Sequence, residues 1–319
     1  MPVNIFELSD LRTPWCIHVA ATLRIAEHIA AGLDRIEAIA AAASNCDTHV
    51  LHCVLSHLVS KGVFAEPERG RFALNDAAQP LLDPTMHIGL DLDGIGGRMA
   101  HSWSTLLSYV RTGASAYHEV FGMTFWQDLD AHPHVAATFD ALIGPTGHGT
   151  FNPDFPITGG WQSIRSVVDV GGGTGAMLAA ILKAHPHIHG TLVDLPRTVA
   201  RAVALPETAA TIGQSFFDPL PAGANVYLLR GVINDWSDRD AIAILTRCAE
   251  AARPSGRVVI LKSVGPDDEP RRLDIEMVLA GGKHRTVDEF QILARDAGLE
   301  IVADAQQPGG YFTVECRPI

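Results

Sequence analysis

The run Val168-Asp169-Val170-Gly171-Gly172-Gly173-Thr174-Gly175 leaves the chain little choice of architecture. The β-branched stretch Ser166–Val170 before it reads as a buried strand, and Ala176–Ala184 after it as a helix. Glycine turns sharply and lets a backbone approach a ligand closely where a strand feeds a helix. The same order then recurs. Strands are expected at Thr191–Asp194, Asn225–Arg230 and Arg257–Lys262, with helices over Ala241–Ala252 and about Val287–Ala297. Strands alternating with helices predict a parallel sheet covered on both faces. A closing pair, Glu300–Ala303 and Tyr311–Cys316, is linked through Gly309-Gly310. It predicts a last strand that runs antiparallel.

The chain has 319 residues, enough for about two domains at ~150 residues each. We read 1–96 as one module, 97–160 as a helical linker and pocket segment, and 161–319 as the α/β domain. In the first module, helices are expected over 12–31, Ile36–Ala42 and Thr48–Ser60, the last with Val50, Leu51, Val54, Leu55 and Leu58 facing inward. Two strands, Val63–Ala65 and Arg71–Leu74, follow around Pro67 and Gly70. This is the pattern of a winged helix. DNA binding is set aside: the recognition helix would offer His49, His52 and His57 but almost no Arg or Lys, and the net charge is −12. The apolar stretch Trp15–Ala31 suits a dimerisation helix instead. A zinc site on His49, His52, Cys53 and His57 is disfavoured, because only some of them share a helix face.

No apolar run approaches a membrane span and no signal peptide is visible. The five cysteines are odd in number and form no CxxC, which reads as reduced thiols in the cytoplasm. His185, His187 and His189, around Pro186, read as surface residues. The segment 97–158 is rich in aromatic residues, and Gly144–Thr158 carries linker signals. Trp103, Phe121, Met123, Trp126, Phe139 and Ile143 are candidates to line an apolar pocket for a planar or polycyclic small molecule.

The glycine turn alone leaves its ligand open. Gly171, Gly173 and Ala176 also satisfy the loose dinucleotide pattern G-x-G-x-x-A. Asp194, at the end of the second strand, suits ribose hydroxyls in either case. Asp169 discriminates, since a carboxylate there suits an ammonium better than a pyrophosphate.

Further stretches carry a family resemblance: VVDVGGGTG (167–175), TLVDLP (191–196), SFFDPLP (215–221), NDWSD (234–238), AIAILTRCAEAA (241–252) and GGKHRT (281–286). The chain resembles the plant-and-bacterial small-molecule O-methyltransferases, class I S-adenosylmethionine enzymes, and most of all those acting on aromatic natural products. The resemblance implies a Rossmann-like methyltransferase domain behind a winged-helix dimerisation domain, and a homodimer burying well over ~2,000 Å². It implies that Asp169, Gly171 and Gly173 hold the methionine part of the cofactor and Asp194 the ribose. Ser215 and Phe216 would flank the adenine, and Arg230 would lie near the cofactor carboxylate. S-adenosylhomocysteine would be the product.

The departures fall on the catalytic set. The family usually reads His-Asp-Trp where this chain has Asn234-Asp235-Trp236. That histidine is the general base, and Asn has no titratable proton at neutral pH. Lys262 stands where a glutamate normally orients the base, and His284 where a second glutamate stands. Four readings follow. His284 is a relocated base; or methyl transfer runs by proximity on an ionised acceptor; or Asp235 and His284, with Asn234 or substrate, hold a divalent metal; or the cofactor is bound for non-methylating chemistry.

Overall fold

The computed structural model describes residues 4–143, 152–266, 273–307 and 312–319. The linker's centre, the Gly309-Gly310 link and Tyr311 lie outside them, as does the Ile143 side chain. The chain divides into two compact units. One comprises Met1–His101 with His132–Leu142, the other Ser102–Ala131 with Ile143–Ile319. The segment read as one block over 97–160 is therefore shared between them.

In the first unit the helix expected over 12–31 is two helices, Arg12–Thr22 and Ile25–Ala30. Arg24 separates them in the left-handed region, φ 53°. Periodicity runs through such a break because the apolar positions stay in phase on one side. Helices Ile36–Ala42 and Thr48–Ser60 follow, and Asp47 caps the latter by accepting from the Val50 N–H at 2.8 Å. Leu51, Leu55 and Leu58 are buried, but Val50 is 59% exposed: it sits in the first turn, off the buried i, i+4, i+7 stripe. Strands β1 (Ala65–Glu68) and β2 (Arg71–Ala73) pair antiparallel. Asn75 braces their base, its Nδ2 donating to the carbonyls of Gly62 and Phe64 at 2.9 Å.

The second unit carries β3 (Ser166–Val170), β4 (His189–Asp194), β5 (Ala209–Gly213), β6 (Val226–Arg230), β7 (Arg257–Leu261), β8 (Val264–Gly265), β9 (Arg285–Thr286), β10 (Leu299–Gln306) and β11 (Phe312–Pro318). The main sheet has the order β10-β11-β7-β6-β3-β4-β5. The five strands from β7 to β5 are parallel, whereas β11 runs antiparallel to β7 and β10 antiparallel to β11. The antiparallel close matches the expectation. β5 had no sequence signal: Ala-Ala-Thr-Ile-Gly at a sheet edge needs no apolar alternation.

Both faces are covered, and alternate side chains show it. Val168, Val170, Tyr227, Leu229, Val258 and Ile260 enter one core with helix Asp238–Ala252. Val167, Val226, Leu228, Val259 and Leu261 enter another with helix Ala176–Ala184. Each such aliphatic contributes roughly 1.5–3 kcal/mol on burial. His185 joins this side rather than the surface. It is 8% exposed, stacks on Trp161 at 4.7 Å and has Nε2 2.9 Å from Asp154 Oδ1. The indole face of Trp161 covers the imidazole ring, which accounts for its burial on this side.

Candidate active site

From β3 the chain builds outward to β4 and β5, then returns to the other side for β6 and β7. The reversal leaves a crevice at the carboxyl ends of β3 and β6, where ligands of open α/β sheets bind. The glycine turn lies there. Gly171 and Gly173 take positive φ of 66° and 60°, and no atom stands within 4 Å of the space a Gly173 Cβ would fill. Gly172 is required for another reason. A Cβ on it would come 2.5 Å from Asp169 Cγ and 2.6 Å from Leu192 Cδ1.

Asp169 therefore lies beneath the turn, 1% exposed, and its Oδ2 has no hydrogen-bond partner. Burial, then the nearby Asp194 carboxylate, push its carboxyl up to about 7, with Arg230 opposing. Asp194 ends β4 and ties the turn down. It accepts from the Gly173 N–H at 2.8 Å and from the Leu195 N–H at 2.7 Å. Ser215 accepts from the Phe217 N–H at 3.2 Å, and Phe216 reaches the turn, its ring within 3.2 Å of a Cβ placed on Gly171.

Phe216 begins an aromatic array. Its ring meets Trp236 edge-on at 5.6 Å, and Trp236 stacks on Trp126 at 5.4 Å with planes 12° apart. Trp126 continues to Phe125, Tyr117 and Phe121. Two of the pocket candidates, Phe121 and Trp126, thus join the aromatics that reach the glycine turn. Met123 is half-buried near them in sequence, Trp103 is 41% exposed, and Phe139 belongs to the first unit. Trp236 and Phe217 were not singled out from sequence. Their signal was present in the NDWSD and SFFDPLP stretches, but stacking partners from distant segments are visible only in space.

The altered residues separate into two groups. Asn234 is buried with both amide ends engaged: Oδ1 accepts from Ser263 Oγ at 2.8 Å and Nδ2 donates to Asp235 Oδ1 at 3.0 Å. Burial, then Glu276, push the Asp235 carboxyl well above the usual range. Lys262 follows β7 directly, beside Ser263. His284 stands elsewhere. It is half exposed, with Nε2 3.1 Å from Asp274 Oδ2, and lines a cavity of about 300 Å³ with Tyr109, Ser237, Asp238, Met277 and Lys283. Among the described residues no group of three or more His, Cys, Asp or Glu could hold a metal ion.

Comparison with known proteins agrees with this geometry. The O-methyltransferase domain model matches residues 103–300. A 2,7-dihydroxy-5-methyl-1-naphthoate 7-O-methyltransferase of Streptomyces carzinostaticus is 37% identical over 98% of this chain and 96% of its own. An aclacinomycin 10-hydroxylase of Streptomyces purpurascens is 36% identical over 95% of this chain and 86% of its own. The crystal structure of an O-methyltransferase from neocarzinostatin biosynthesis, in complex with S-adenosylmethionine and 2-hydroxy-5-methyl naphthoic acid, superposes with a TM-score of 0.88. It is 36% identical and covers 100% of this chain and 99% of that one. On the domain match, the near full-length identities and the shared two-domain fold, the chain belongs to the O-methyltransferase family.

Proposed function

We propose that the chain is an S-adenosylmethionine-dependent methyltransferase acting on an oxygen of an aromatic or polycyclic small molecule in natural-product biosynthesis. The carrying observation is the buried Asp169 carboxylate, with an oxygen lacking a partner, under an open glycine cradle beside Asp194. Two carboxylates repel a pyrophosphate and attract an ammonium or sulfonium. In this reading Asp169, Gly171 and Gly173 take the methionine part, Asp194 the ribose, Ser215 and Phe216 the adenine, and Arg230 the carboxylate. When bound, the cofactor supplies an electrophilic methyl group, which the acceptor oxygen takes while sulfur keeps the electron pair. Phe121 and Trp126, with Trp103 and Met123, offer flat apolar surface to the acceptor ring. Asn234 moves no proton, since a carboxamide does not titrate near neutral pH, and its amide is held at both ends. Its amide links Ser263 to Asp235, whose carboxyl is pushed well above the usual range by burial, then by Glu276.

Calorimetric titration with S-adenosylhomocysteine is expected to show saturable binding. Overnight incubation with S-adenosylmethionine and 2-hydroxy-5-methyl naphthoic acid is expected to give a product heavier by one methylene. An altered but unmethylated product would favour the second reading, in which the bound cofactor serves non-methylating chemistry. Two observations support that alternative: the untitratable Asn234, and the 36% identity to a protein named a hydroxylase.

We further read the chain as a cytoplasmic homodimer with no nucleic-acid partner. At the N-terminus Phe6 is 83% and Leu11 73% exposed, with Ile5 and Leu8 beside them, which suits cover by a second copy. No helix among the described residues is long and apolar enough to cross a membrane. Light scattering should return twice the chain mass; a monomer would refute the dimer.

A further inference from the structure

Helix Phe125–Ala131 touches both rims of the crevice. In the sheet, β6 and β4 flank β3 on either side, two strand spacings or roughly 10 Å apart. On the β6 rim, Trp126 stacks on Trp236, which lies just beyond that strand. On the β4 rim, Asp130 forms an ion pair with Arg197, which lies just beyond Asp194. Positions i and i+4 share a helix face and stand about 6 Å apart along the axis, so the two side chains supply the rest of the span. One short helix is thus a bar laid from rim to rim, with the glycine turn between them.

The two ties differ in kind. Trp126 makes a stacked contact of two large rings, and it also meets Phe125 edge-on at 5.0 Å. Phe125, Asp128 and Leu129 are buried, and Asp128 accepts from the Tyr117 O–H at 2.7 Å. At about 100° per residue, those three lie roughly a third of a turn round the helix from Trp126 and Asp130. The tie to the β4 rim is ionic and wet: the Asp130 side chain is 61% exposed and that of Arg197 23%. Burial, then Arg201, push the Arg197 guanidinium below its ordinary value, so it gains from a carboxylate partner. An ion pair this exposed holds weakly and is screened by salt. The helix ends at Ala131, and from His132 the chain belongs to the other compact unit.

We propose that the Asp130–Arg197 pair is a latch on the adenosyl side of the cofactor crevice, which parts to let S-adenosylmethionine in and S-adenosylhomocysteine out. The latch presupposes the cofactor reading above, in which Asp194 takes the ribose. A ligand that spans the glycine turn and Asp194 then lies between the two rims, and the bar crosses its way out. A weak tie suits that task, since a strong one would hold the product in. Weakening the latch eases passage in both directions, so entry and exit quicken together and affinity stays nearly constant.

The test is surface plasmon resonance of S-adenosylhomocysteine on the full-length protein, as wild type, Asp130→Asn, Arg197→Gln and the double variant. Each single substitution is expected to raise the association and dissociation rates together by about two- to fivefold, the range an exposed ion pair allows, with Kd nearly unchanged. The double variant is no faster than either single one, because both remove the same pair. Raising salt from about 0.05 to about 0.5 M quickens both rates in the wild type and leaves Asp130→Asn unaffected. Should Arg197→Gln fail to fold, the exposed Asp130→Asn and the salt series decide alone. Unchanged rates in Asp130→Asn, additive effects in the double variant, or a loss of affinity carried by dissociation alone overturns the latch. Calorimetry on the wild type separates the two failures. If S-adenosylhomocysteine does not bind, the cofactor reading falls and takes the latch with it; if it binds and the rates do not respond, only the latch falls.

Discussion

Arg285→Met is expected to lower the stability of the folded chain by about 3–5 kcal/mol, the usual cost of removing one partner from a buried charged network. The Arg285 side chain has no exposed surface. Its Nε donates to Asp238 Oδ1 at 2.9 Å, Nη1 to the Ile233 and Lys283 carbonyls at 2.9 and 3.0 Å, and Nη2 to the Trp236 carbonyl at 2.8 Å. One guanidinium thus ties the segment bearing Asn234 and Asp235 to the loop 281–285. Gly282 brings the two together: a Cβ there would collide with the Asn234 carbonyl oxygen. Methionine replaces the apolar stem of the arginine but not its guanidinium, and leaves three carbonyls and a carboxylate without their donor. Arg285→Lys keeps the charge but not the fork, and should fall between. Urea unfolding checks this, through a lower midpoint at unchanged slope. A loss under about 1 kcal/mol would mean that water replaces the guanidinium at those carbonyls.

The second large effect is a pH dependence, and Asp169→Asn should remove it. The folded-state carboxyl, pushed up to about 7 from an ordinary 3.8, binds its proton more tightly than the unfolded chain does. Its contribution to stability is therefore fully present below pH 3.8 and is lost progressively as pH rises to about 7. Each tenfold difference in proton affinity is worth about 1.4 kcal/mol, so the loss is on the order of 4 kcal/mol across that window. The amide of the variant is neutral throughout. The ligand-free variant should therefore be the more stable of the two above neutrality, yet bind S-adenosylhomocysteine far more weakly. Thermal melts of both proteins over this pH range decide it. Parallel curves would show that the carboxylate is solvated or paired when the site is empty. Stability given up at a binding residue and recovered on ligation is the expected pattern for a functional site.

Much of this was legible in the chain itself. The glycine run and the β-branched strands before and after it stand in the structure at nearly their expected limits, and the closing pair is antiparallel as expected but longer, Leu299–Gln306 and Phe312–Pro318. Buried strands between helices cannot be polar, and glycine at such a turn cannot be replaced. The misses share one cause. β5 is an edge strand with little to bury, Arg24 breaks a helix without disturbing its apolar phase, and Val50 lies in a first turn beyond the buried stripe. In each case the local pattern was compatible with two outcomes, and long-range packing chose between them.

The candidate site divides along the same line. Sequence by itself placed Asp169, the glycine turn and Asp194 together, because they lie within thirty residues along a strand, a turn and a strand, while the roles proposed for them come from the family resemblance. It also determined that position 234 carries no base, since that is a matter of chemical identity. Only the tertiary structure decided what surrounds that position. Ser263 engages the Asn234 oxygen, the loop at Gly282 closes over its backbone, and Trp126 reaches Trp236 across more than one hundred residues of chain. His284 and Lys262 looked equivalent as substituted positions, yet one faces Asp274 at half exposure and the other directly follows the central strand β7, under the influence of Arg230. Sequence spacing carries no direction for a side chain on a loop. Direction comes from the sheet order, which sets the carboxyl ends of β6 and β7 together at the crevice.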